Sequence, residues 1–201
     1  MLLGVLREAT RASHDGLEAA LDVSEYLSSR ESWLWLLETF FGYWAPLEGK
    51  IFSPPAFSNW LPDADLRLKS ALLSGDIKAL GGDPLQSEIC QELPAFLSLE
   101  EKFGGLYVME GATLGGQIIA RLAAGHGYTA ERGCSFFTSY ASNVGPMWKT
   151  FSAQLNEFGT AHPSSQEAVA AAAIDTFAKF DSWVSRRKRE LSQNDSDAIK
   201  R

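Results

Sequence analysis

Between Phe137 and Phe158, the side chains Phe137, Tyr140, Val144, Met147, Phe151, Leu155 and Phe158 recur at gaps of 3 or 4 residues and never at 2. That spacing lays them along one face of a 3.6-residue helix and does not suit a half-buried strand. The same period returns along most of the 201 residues, with no hairpin signal between alternating runs. It predicts helices over about 3–21, 29–48, 100–124 and 137–158, with shorter ones between the proline and glycine clusters of the middle. Ser164-Ser165-Gln166-Glu167 reads as the cap of a last helix that turns Ala168, Ala172, Phe177, Phe180, Trp183 and Val184 inward. The expectation is an all-α, single-domain, multi-helical fold of about six to eight helices over 1–185. Residues 186–201 form a charged tail expected to fray.

Charge and composition exclude several classes. The net charge is −7, and the tail carries +3 of it, which leaves −10 on residues 1–185. Nucleic acid is a poor partner for such a body. Arg186-Arg187-Lys188-Arg189 suits the negative end of a helix dipole. Cys90 and Cys134 are too few for a disulfide framework and lack metal-knuckle spacing. The opening Met1–Leu6 runs straight into Arg7 and Glu8 without a signal peptide's apolar region. The longest uncharged stretch, Gly133 to Trp148, holds Ser, Thr, Asn and Pro and does not suit a bilayer. A soluble, cytoplasmic chain is expected.

Two segments carry chemistry. On the first helix, Leu6, Ala9, Ser13, Leu17 and Ala20 share an apolar arc, and His14 lies at its edge. Arg7 and Arg11 precede His14 by seven and three positions, so both guanidinium groups share its side of the helix. One reading is a boundary histidine among solvated arginines that pair with Glu8, Asp15 or Glu18. The other is a ligand site, since neutral imidazole binds iron and arginine binds carboxylates. His126, between glycines, and His162, before Pro163, read as exposed and are weaker candidates. Met109 and Met147 read as core filler.

The second segment holds five glycines between Gly104 and Gly116 within a helical pattern. Each costs roughly 1 kcal/mol against alanine inside a helix. Gly104, Gly111 and Gly115 share one stripe, with Gly105, Ala112 and Gly116 beside it. Such a face serves close helix packing or close approach of backbone to a flat ligand, and Gly115-Gly116 is its natural bending point. No phosphate-loop pattern is present.

At these positions the chain resembles the heme oxygenase family. Leu6-Arg7-Glu8-Ala9-Thr10-Arg11-Ala12-Ser13-His14 is similar to the family's proximal helix, and Gly111-Ala112-Thr113-Leu114-Gly115-Gly116-Gln117 to its distal helix. Leu106-Tyr107-Val108-Met109-Glu110 looks most like the bacterial branch associated with bacteriophytochromes. The resemblance implies that heme lies between a proximal helix and a kinked distal helix. His14 would be the iron ligand, Arg7, Arg11 and Tyr140 heme-binding residues, and Gly111, Gly115 and Gly116 the catalytic wall. It implies that O2 and electrons from an external ferredoxin or NADPH-dependent reductase cleave heme to biliverdin, CO and ferrous iron. A bacteriophytochrome would be the biliverdin acceptor. Better-known members carry an aspartate after the first distal glycine and a serine two residues later, where this chain has Ala112 and Leu114. A non-catalytic heme carrier or sensor is the competing reading.

Overall fold

The fold is taken from a computed structural model that describes residues 1–54, 57 and 59–199, with side chains through Gln193. Among the described residues six α-helices carry it: α1 Leu2–Ala20, α2 Arg30–Ile51, α3 Ser70–Ala79, α4 Leu99–Gly125, α5 Val144–Ala161 and α6 Gln166–Ile199. Short 3₁₀ turns join them, and no strand occurs among the described residues. Caps set the starts of α2 and α4, where Ser29 and Ser98 accept from the N–H groups of Ser32 and Glu101.

Helix α6 is the central strut, packing along both α4 and α1. The amino end of α1 is pinned to α5, where Leu2 fills the space over Gly159 and the Leu3 N–H donates to Asn156 at 3.0 Å. An aromatic centre of Trp33, Phe40, Trp44, Phe136, Phe137 and Phe180 ties α2 and α6 to the segment before α5. No described helix is long and apolar enough to cross a membrane.

The fold corrects several expectations. The helix expected from Phe137 begins at Val144, because the Pro146 ring would clash with the Ser142 carbonyl of an earlier turn. Phe137 and Tyr140 therefore sit in turns, although Phe137 remains core. On α1, Leu2, Leu6 and Thr10 are buried and Ala9 is exposed. On α6, Val169 and Ala173 are buried while Ala168 is exposed. Residues 186–199 of the charged tail continue α6, and residues 200 and 201 lie outside the described residues. There Arg186 and Arg187 pair with Glu88, and Lys188 donates to the Ala20 carbonyl.

Candidate functional site

Helices α1 and α4 meet where the Thr10 and Tyr107 hydroxyls lie 3.4 Å apart. Beyond that point both helices lose their cover. No residue of α1 after Thr10 is fully buried. On α4, nine consecutive residues from Lys102 to Glu110 are buried, then only Thr113, Gly116 and Ala123. A helix buried on all sides for two and a half turns and then bared has lost a partner on one face.

The glycines divide at the same place. A Cβ on Gly104 would lie 2.4 Å from the Val169 carbonyl oxygen, and one on Gly105 2.5 Å from the Phe96 ring. Those two glycines serve close packing. At Gly111 and Gly115 an added Cβ meets nothing within 4 Å. Gly116 is covered, its Cβ position 3.2 Å from the Phe137 carbonyl oxygen. Leu114, Ile118 and Leu122 line the exposed flank, and α4 runs unbroken through Gly115 and Gly116.

His14 is 54% exposed and stands edge-on to Phe177 of α6, with ring centres 6.0 Å apart. Its Nδ1 lies 3.7 Å from carboxylate oxygens of both Asp15 and Glu18. Those acids flank the histidine rather than the arginines, and Arg11 pairs instead with Glu8 at 2.5 Å. Arg7 is exposed and makes no ion pair among the described residues. The ligand atoms of His14, Asp15 and Glu18 lie within 4.8 Å of one another, all exposed. The other histidines separate: His126 is exposed, while His162 is half-buried between the Trp60 and Phe158 rings, with no partner for Nδ1 among the described residues.

Behind the glycines lies a buried ionic cluster that periodicity could not reveal. Glu110 has no exposed surface and accepts from Arg67 Nη1, from Lys69 Nζ at 2.6 Å and from Tyr140 Oη at 2.9 Å. Asp63 takes two further bonds from Arg67, at 3.0 and 2.6 Å. Burial works against the Arg67 charge, but Asp63 and Glu110 hold its pKa above the ordinary value. Burial pulls the Lys69 ammonium down against the attraction of Glu110. It also pushes the Tyr140 phenol up, as does the Glu110 charge, so the phenol stays a donor. The one sequence signal was a glutamate within an otherwise apolar run.

An exposed imidazole on one helix, backed by α6, and an open glycine stripe on another suit a flat, metal-bearing ligand. The family model described as heme oxygenase matches residues 1–186, and the chain belongs to that family of heme-degrading enzymes. Among solved structures, the NO- and CO-bound heme oxygenase from Neisseria meningitidis matches with a TM-score of 0.81 at 20% identity. The match covers 93% of this chain and 92% of that one. No protein of curated function matches in sequence.

Proposed function

We propose that this chain is a heme oxygenase that opens the ring to biliverdin, CO and ferrous iron, using O2 and electrons from an external donor such as a ferredoxin or a reductase. One observation carries the reading: α4 loses its packing partner at Gly111, and Gly111 and Gly115 face open space where Gly104 and Gly105 are filled. Heme, when bound, supplies the iron that activates O2 and the carbon that is oxidised.

His14 is the proposed iron ligand. Asp15 and Glu18 stand on its Nδ1 side and favour a proton there, which leaves Nε2 for the metal. Arg7 and Arg11 hold the propionates. For Arg11 this means exchanging Glu8 for a ligand carboxylate, and an exposed pair of that kind is weak. Gly111 and Gly115 admit the ring face and exclude bulk from the oxygen side, while Gly116 keeps the helix against the Phe137 carbonyl. The resemblance to the bacteriophytochrome-associated branch supports a photoreceptor as the acceptor of the product.

Ala112, in the position of the family's distal aspartate, favours a second reading, a non-catalytic heme carrier. Incubation with hemin and an ascorbate or ferredoxin system, followed by chromatography, separates the two. Biliverdin is expected, and heme returned intact would leave the carrier. His14→Ala should abolish the imidazole-type ferric Soret band; an unchanged band would assign the iron another ligand.

A further inference from the structure

Behind the open stripe of α4 stands a turn with a strained backbone. Tyr140 and Ala141 hold positive φ angles, +67° and +47°, a consecutive left-handed pair that residues bearing a Cβ adopt at a cost. Such strain persists only where surrounding contacts over-determine it, and it gathers at functional sites. Two contacts hold it here. Tyr140 Oη donates to Glu110 Oε1 at 2.9 Å, and Lys69 Nζ lies 4.7 Å from the centre of the Tyr140 ring.

The same turn reaches α4 a second time, where the Phe137 carbonyl covers Gly116. It therefore meets the helix at residues 110 and 116, about 9 Å apart along the axis. At ideal helical spacing those two positions fall about 120° to either side of the line through Gly111 and Gly115. The front of the helix stays clear while its back is held at both ends of the glycine segment.

Charge balance does not require the phenol. Arg67 and Lys69 are matched by Glu110 and Asp63, and Glu48, the other buried carboxylate nearby, accepts from the N–H groups of Lys69 and Ser70. The need is mechanical. Gly111, Gly115 and Gly116 offer no side chains to grip a neighbour and leave the backbone soft. Because contact with the ligand is made by backbone itself, a displaced helix is a displaced site, and about 1 Å can cost on the order of 100-fold in rate.

The geometry points to Tyr140 as a positioning residue that, through Glu110 and with the Phe137 carbonyl on Gly116, splints the glycine segment of α4 against the bound ring. The inference rests on the heme reading of α4. Two variants test it. Tyr140→Phe removes the hydroxyl and keeps the ring beside Lys69. Tyr140→Gly relieves the left-handed strain, so a turn with only a structural role would tolerate it. In both, amides 111–117 of the heme-free chain should exchange about tenfold faster, the loss of one hydrogen bond of ordinary net strength, with α1 and α6 unchanged. Heme breakdown should slow by about tenfold while heme affinity stays within about threefold, because the Tyr140 hydroxyl is turned onto Glu110; a larger loss of affinity would make Tyr140 the heme-binding residue that the family resemblance implies and overturn the positioning role.

Unchanged exchange, or acceleration spread evenly over the chain, overturns the splint. Faster exchange with an unaltered rate of breakdown overturns its part in positioning. Absence of turnover in the unaltered protein is a failure of the heme reading instead. It shows before any variant is compared, and the exchange measurement, which needs no heme, still decides whether the turn holds the helix.

Discussion

Gly104 and Gly111 lie seven residues apart on one stripe of α4, yet a methyl group on the first would strike the Val169 carbonyl and one on the second would touch nothing. The first half of the helix is core. Its glycines let α6 and the Phe96 ring close in, and Lys102 to Glu110 have no exposed side. The second half keeps the glycines and loses the neighbours. The same residue thus serves two ends along one helix: close approach of protein to protein, then close approach left free for something else.

That contrast is open to direct test. The largest effect should come at the boundary, where Glu110→Leu leaves the buried Lys69 ammonium without its bonded carboxylate and Arg67 with Asp63 alone. Urea unfolding should show a loss of about 3–5 kcal/mol, and a loss under about 1 kcal/mol would mean that water relieves the cations. Next comes Gly115→Leu, which fills the open face. Biliverdin yield should fall by about 100-fold while circular dichroism stays unaltered; wild-type yield would remove the stripe from the site.

The sharpest comparison is a matched pair of alanine substitutions. Gly104→Ala should destabilise by about 1–3 kcal/mol, because the added carbon meets α6 backbone that cannot step aside. Gly111→Ala should stabilise the heme-free chain by about 0.5–1 kcal/mol, the ordinary preference for alanine within a helix. Equal signs in thermal unfolding would erase the distinction between the two halves. The smallest effect is expected on α1, where Arg11→Glu should weaken heme binding by about threefold to tenfold at low salt. An isotherm identical to wild type would make Arg11 only the partner of Glu8.

The pieces legible in sequence are those written as local periods. α1, α2, α4 and α6 follow from 3.6-residue spacing, and His14 with Arg7 and Arg11 follows from i−7 and i−3 geometry. The spacing of Phe137 and Tyr140 misled because period alone ignores the break that Pro146 imposes. His162 read as exposed because nothing near it in sequence announces Trp60. The ionic cluster stayed hidden for the same reason. Glu110 meets residues 41 and 43 positions before it and 30 after it, and no local pattern encodes such pairings.

The chain by itself determined that the segments of α1, α2, α4 and α6 are helical, that the protein is built of α-helices, and that a histidine with two arginines shares a helix face. These are consequences of neighbours three or four residues apart, which helix geometry brings together wherever the helix goes. Only the tertiary structure decided which glycines are filled and which are bare, and that a strained turn backs the bare ones. Those facts depend on where α6 and the 137–140 turn cross α4, and such crossings arise from packing between segments distant in the chain.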